Sequence, residues 1–274
     1  MPVISTNTAA NTAVRYLNSN STDQSDSLAK LASGSRITKA SDDAAGLAIS
    51  TKIRSDVAVL EQASTNASNA ISILQTADGG AARISDILER MKVLAAQSSS
   101  GTVTDSERVY IDAEFQQLIE EIDGIAQSTR YNGDSLLEST SAATAGLSVV
   151  VGTDVSDTIS LTTYALDATS IGVNALDLAS ATNADAAMTA LDTAIDSVSA
   201  ARAKMGATMS RFEFRSEAIA TSMENLDAAQ SAIADVDIAA EQARLSATSV
   251  KVQAAVAAAA QANEMPQNLL KLLQ

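Results

Sequence analysis

From Met188 to Ile233 apolar side chains recur in alternating steps of three and four residues, and the phase never shifts. Positions 188, 191, 195, 198, 202, 205, 209, 212, 216, 219, 223, 226, 230 and 233 hold Met, Leu, Ile, Val, Arg, Met, Met, Phe, Ser, Ile, Met, Leu, Gln and Ile. Only Arg202, Ser216 and Gln230 break the apolar series. That spacing keeps one narrow seam facing a partner helix. It predicts a straight helix of roughly 70 Å at the usual rise per residue. Its packing residues are Met188, Leu191, Ile195, Val198, Met205, Met209, Phe212 and Leu226.

A second stripe, Ile53, Val57, Leu60, Ala67, Ile71 and Leu74, runs on through Ala81, Ile84, Leu88, Met91 and Ala95. Its phase slips at Gly79 and Gly80, which predicts a local irregularity. Ser41, Asp42 and Asp43 before Ala44 read as a helix start, with an N-cap hydroxyl and acidic residues against the positive end of the dipole. The run Ser98 to Gly101 ends the helix. Thr104 and Glu107 have capping-box spacing and open a further helix through Ile111, Phe115, Leu118, Ile122 and Ile125, expected to fold back antiparallel. Asn132-Gly133 marks a turn. Beyond Leu137 the short runs LSVVV and TISLT, separated by GTDVSD, predict a β-hairpin.

The two chain ends are weaker. Residues 1–40 place Val14, Leu17, Leu28 and Leu31 in phase around the polar stretch NSNSTDQSDS. The other end places Ile238, Leu245, Val252 and Ala259 seven residues apart, then Pro266, expected to interrupt or kink the helix, then Leu269 and Leu270. Each segment alone buries too little to fold. They are expected to be disordered in the free chain and to fold against neighbours, first pairing antiparallel with last. The fold class is mainly α: long antiparallel helical rods in a coiled-coil-like bundle, with a small middle region containing a β-hairpin. Residues 1–40 and 235–274 are expected to pair, 41–134 and 183–234 to form a helical-rod domain, and 135–182 to be a small insertion between its helices.

Composition weighs against catalysis, because the chain has no His, Cys or Trp. The commonest general base and the soft metal ligands are missing, and aromatic content of 3% leaves little to line a pocket. Asp154 and Asp157 sit in a Gly-containing loop without the recurring oxygen ligands of a calcium loop. Glu120, Glu121 and Asp123 read as a solvated face. No cofactor or metal is expected, and a helical-rod enzyme is the alternative of a different class. The net charge of −15 is uneven. Residues 1–100 sum to 0, 101–200 to −14 and 201–274 to −1. Neutral ends tolerate stacking of many copies, while an acidic middle facing water keeps assemblies soluble. No basic stripe exists for nucleic acid. No apolar run approaches the length needed to span a bilayer, and the start MPVISTNTAANTAV lacks the basic and apolar regions of a cleaved signal.

The stretches LAKLASGSRITKASDDAAGLAIS (28–50), ILERMKVLAAQSSSGTVTDSERVYIDAEFQQLIEEID (87–123), TRYNGDSLL (129–137) and AQANEMPQNLLKLLQ at the end resemble the terminal signatures of bacterial flagellin, in order and at its spacing. Ser35 stands where many members have Leu, and 138–182 matches only in character. The resemblance implies a subunit of the flagellar filament, a self-assembling helical propeller, with a hook-filament junction protein as the alternative. Helices at 1–40 and 235–274, carrying Val14, Leu17, Leu28, Leu31, Ile238, Leu245, Val252, Leu269 and Leu270, would form the inner core of a hollow tube. Helices near 44–130 and 185–233 would form the shell around it. The implied partners are many copies of itself, the flagellar export apparatus and its chaperone, and filament cap and hook-junction proteins. The implied location is outside the cell, reached without a cleaved signal. Recognition by the Toll-like innate receptor for flagellin would fall on Arg90, Leu94, Gln97 and Glu114, although Lys92 and Val93 replace a common Arg-Glu pair.

Overall fold

The computed structural model describes residues 6–139, 141 and 145–272, with side chains to Glu264. In chain order the elements are α1 (Thr8–Ser33), α2 (Ala44–Ser99), α3 (Asp105–Ser128), β1 (Arg130–Tyr131), β2 (Asp134–Ser135), β3 (Leu147–Val150), β4 (Thr158–Leu161), α4 (Ala181–Ala234) and α5 (Ile238–Leu272). The fold is mainly α with two small antiparallel hairpins. Two compact units form. One holds residues 1–55 and 225–274, the other 56–224.

In the second unit α3 runs antiparallel to α2. Arg90 of α2 meets Glu114 of α3 at 2.7 Å, and near the turn between them Arg108 Nε donates to the Ser98 carbonyl at 2.8 Å. Helix α4 is antiparallel to α2 as well, since Arg202 Nε pairs with Asp78 at 2.8 Å while Lys92 pairs with Asp192. On these three helices Leu74, Ile84, Leu88, Met91, Phe115, Ile122, Leu191, Val198, Met205 and Phe212 are all but completely buried. Leu60 is buried too, and Ile53, Val57 and Ile71 are half-buried.

The α4 seam differs from the predicted one in every second position. Leu191, Val198, Met205, Phe212 and Ile219 are buried, but their heptad companions are Ala187, Ala194 and Ala201. Met188, Ile195 and Met209, like Leu226, are half-buried flanks. Alanine at the centre lets helix backbones approach, and the longer neighbours then cover the sides. Helix α2 also corrects an expectation, for it runs unbroken through Gly79 and Gly80. The second glycine answers a packing demand instead. A Cβ there would lie 2.4 Å from Thr129 Oγ1 and 2.8 Å from Leu137 Cδ1.

The start of α2 is set by Asp43 rather than Ser41. Asp43 Oδ1 accepts from the Gly46 amide at 2.8 Å, the N-cap geometry that satisfies an orphan donor of the first turn. Thr104 and Glu107 make the predicted capping box at α3. Asn132 (φ 52) and Gly133 (φ 94) form the turn between β1 and β2, with Arg130 opposite Ser135. Both central residues at positive φ is the two-residue turn that matches strand twist. In the second hairpin Leu147 faces Leu161 and Val150 faces Thr158. Residues after it lie along α3, where Asp123 Oδ1 accepts from the Ala168 amide at 2.8 Å and Asp112 Oδ1 from the Leu178 amide at 2.8 Å. Asp123 is therefore a clamp for the middle region and not only a solvated charge. Helix α5 continues across Pro266; a proline removes one donor, and this one falls in the last two turns.

Candidate assembly interface

Helices α1 and α5 pair antiparallel, tied at both ends. At one end the Arg36 amide donates to the Ala234 carbonyl at 2.6 Å and the Val236 amide to the Gly34 carbonyl at 3.0 Å. Gly34 ends α1 in the left-handed region, φ 70, which glycine adopts without steric cost. Ser35 Oγ donates to the Ala234 carbonyl at 3.0 Å, a bond that leucine at this position would lack. At the other end Asn7 does two jobs. Its side chain caps the Ala10 amide at 3.0 Å, and its Nδ2 donates to the Ala262 carbonyl at 2.7 Å. The segments expected to be disordered alone are helical here because each supplies a face to the other.

The seam between them is built from small and polar side chains. Ser27, Glu241, Thr248 and Ala262 are buried, and Glu241 Oε1 has no hydrogen-bond partner among the described residues. Leu17, Leu31, Leu245 and Val252 are half-buried. Other apolar groups of the pair stand in the open: Val14 is 46% exposed, Tyr16 59%, Leu28 51%, Ile238 64%, Val250 64% and Val256 52%. Of these, Tyr16, Val250 and Val256 escaped the sequence reading because none of them falls on the seven-residue steps it followed. Leu269 and Leu270 lie outside the described side chains.

The loop joining α1 to α2 is held by charge. Lys39 pairs with Asp26 at 2.6 Å, and that hydrogen bond raises the lysine above its ordinary pKa. Asp42 accepts from the Thr38 and Lys39 amides at 3.1 and 3.2 Å. The Thr38 backbone bond is the main reason its carboxyl is held below the usual value. In the second unit, Arg90 and Glu114 pair on the surface and Gln97 is exposed, but Leu94 is 2% exposed and belongs to the core. Asp157 is 3.5 Å from Arg215. Among the described residues no group of three or more His, Cys, Asp or Glu side chains could hold a metal, and no helix is long and apolar enough to cross a membrane.

A well-packed helical unit, together with a helical pair that turns several apolar side chains outward, is the architecture of a helical assembly subunit. Sequence comparison agrees. The bacterial flagellin N-terminal helical region matches residues 4–142, and the flagellin C-terminal helical region matches residues 188–273. The chain belongs to the bacterial flagellin family. It is 39% identical to a flagellin of Halalkalibacterium halodurans, over 99% of this chain and 100% of that one. It is 36% identical to the flagellar filament 30.7 kDa core protein of Treponema maltophilum, over 99% of each. Among solved structures, Bacillus cereus flagellin superposes with a TM-score of 0.51 at 32% identity, covering 56% of this chain and 88% of that one.

Proposed function

We propose that this chain is the structural subunit of a bacterial flagellar filament outside the cell, polymerising with copies of itself through α1 and α5. The observation that carries this reading is the inverted α1–α5 pair, which buries Ser27 and Thr248 while exposing Ile238 and Val250. An exposed apolar surface of this kind marks a contact with another molecule. Residues 1–40 and 235–274 then form the inner layer of the filament, 41–134 and 183–234 the shell around it, and 135–182 the small outer part of that shell. Its work is mechanical and not enzymatic. Filament names among full-length relatives favour this over a hook-filament junction role.

On the same reading the chain leaves the cell through the flagellar export apparatus with a chaperone, without a cleaved signal, and meets cap and hook-junction proteins at the filament ends. A Toll-like innate receptor would engage Arg90, Gln97 and Glu114, with Leu94 acting only through the core beneath them. The test adds purified chain to short filament seeds under the electron microscope, beside Ile238→Glu and Val250→Glu. Elongation by the unaltered chain and none by the variants is expected. Elongation by either charged variant at the normal rate would refute the inner-layer assignment, and failure of the unaltered chain would refute the filament role.

A further inference from the structure

Hairpin β3–β4 and helix α4 enclose an open notch of about 450 Å³, lined among others by Val151, Asp157, Ile159, Arg211, Phe214 and Arg215. Arg211, Phe214, Arg215 and Ala218 stand at i, i+3, i+4 and i+7 and so share one face of α4. Glu213 and Glu217 fall on the far side of the same helix. The notch is well anchored: Arg215 Nε donates to the Val151 carbonyl at 2.8 Å, and Asn66 of α2 donates to the Val150 carbonyl at 3.2 Å. Yet its two most forward groups are unused. Phe214 is 73% exposed, and Arg211 has no carboxylate within 4.0 Å among the described residues.

The second unit carries a surface with the matching chemistry. Glu120, Asp123, Gly124 and Gln127 occupy the same i, i+3, i+4, i+7 spacing on α3 and line a hollow of about 490 Å³ with Glu138 and Asp167. Glycine weakens a helix interior, and nothing among the described residues requires it at 124, since a Cβ there would meet none of their atoms within 4 Å. The two surfaces of one molecule cannot meet each other. The notch adjoins Asn66, whereas Thr129, beyond the hollow, meets Gly80, and fourteen residues of helix separate those points by about 21 Å.

We infer that the Arg211–Phe214–Arg215 notch of one copy docks on the acidic α3 hollow of the next, with Phe214 seated over Gly124 and Arg211 against Glu120. The occupant is a second copy because the −14 charge of residues 101–200 supplies the complement to the notch's free cation. Two different patches meeting head to tail make a heterologous contact, which repeats without closing and generates a filament. A protruding aromatic flanked by arginine is also the usual composition of an interface centre.

The inference rests on the filament reading, and its tests separate the two. Seeded elongation is measured for the unaltered chain, Arg211→Glu, Glu120→Lys and the double variant. Each single change is expected to slow elongation about tenfold and the double to return within about threefold, as expected when a charge pair contributes on the order of 1.4 kcal/mol. Because the chain has no cysteine, a Phe214→Cys copy mixed with a Gly124→Cys copy offers a second readout that needs no long filaments. A disulfide-linked mixed dimer is expected, well above either variant alone. Single variants at the normal rate, a double variant with no recovery, or absence of the mixed dimer would each overturn the docking. If the unaltered chain elongates while the docking tests fail, the filament role stands without it. If the mixed dimer forms but no seed elongates, the docking stands and the filament role falls.

Discussion

Replacing Gly80 by alanine sets helix propensity against packing within one residue of a control. In a helix interior alanine is favoured over glycine by about 1 kcal/mol. At Gly79 no atom of the described residues lies within 4 Å of the added carbon, so Gly79→Ala should gain most of that. At Gly80 the same carbon would lie 2.4 Å and 2.9 Å from Thr129 Oγ1 and Cγ2, and 2.8 Å from Leu137 Cδ1. Leu137 is fully buried and has no open space to enter. Thr129 Oγ1 donates to the Ile125 carbonyl at 2.8 Å where α3 ends, so its displacement sacrifices a hydrogen bond.

Overpacking costs about 1–3 kcal/mol, and the lost bond about 1 kcal/mol. Against the propensity gain, Gly80→Ala should be net destabilising by about 1–3 kcal/mol. The adjacent variants should therefore differ by about 2–4 kcal/mol, with opposite signs relative to the unaltered chain. Urea unfolding followed by helical circular dichroism measures this as midpoint shifts at constant slope. If both alanines stabilise equally, the close approach of α2 to Thr129 and Leu137 is wrong and the glycine pair has no packing role.

Arg108 is buried and donates to the Ser98 and Ser100 carbonyls and to Asp105, so Arg108→Met should cost about 2–4 kcal/mol by stranding two acceptors, read by urea unfolding, with lysine unable to restore the planar fork. Ala201 sits in the tight α4 seam at 4% exposure, and Ala201→Leu should destabilise by about 1–3 kcal/mol in the same assay. Hydrogen bonds from the Thr104 backbone and side chain hold the Glu107 carboxyl below its ordinary 4.5. Its stabilisation of the α3 start is thus complete above pH 4.5 and lost as pH falls through the lower folded value. Glu107→Gln, which keeps the capping geometry without a titrating group, should flatten acid-induced amide exchange at residues 104–107, and equal acid sensitivity in the variant would refute this.

The sequence was most legible where apolar size and period coincide. Leu191, Val198, Met205 and Phe212 announce a seam because each is large and seven residues from the next. Ala187, Ala194 and Ala201 occupy the other half of that seam, but alanine is frequent throughout the chain and sets no phase by itself. Gly79-Gly80 misled for a related reason. A glycine reads as weakness in a one-dimensional pattern, whereas the demand met at Gly80 comes from Thr129 and Leu137, far along the chain. Asp123 likewise read as surface charge and Asp112 gave no signal, since the Ala168 and Leu178 amides they accept from become neighbours only after the middle region folds back on α3. The chain ends were legible as a pair but not in orientation. The pattern located Val14, Leu28 and Ile238, and the fold turns them outward.

That orientation sets how assembly begins. Val14, Tyr16, Leu28, Ile238, Val250 and Val256 are each roughly half exposed or more. Covering a whole side chain of this kind is worth about 1.5–3 kcal/mol, so covering the exposed part of all six yields on the order of 6 kcal/mol. Bringing two proteins together costs about 4–15 kcal/mol in lost freedom. Two copies alone, covering only part of this surface on each other, do not recover that cost. A copy arriving at a filament tip meets several neighbours at once and loses its freedom only once. Growth should therefore depend on seeds, with dilute unseeded chain remaining monomeric by sedimentation and showing a long lag in light scattering. Charging the surface with Ile238→Glu should abolish seeded growth while leaving the α1–α5 seam, and hence helicity, intact. Prompt unseeded growth without a lag would mean that pairwise contact is already strong, and that the outward apolar face is not what limits assembly.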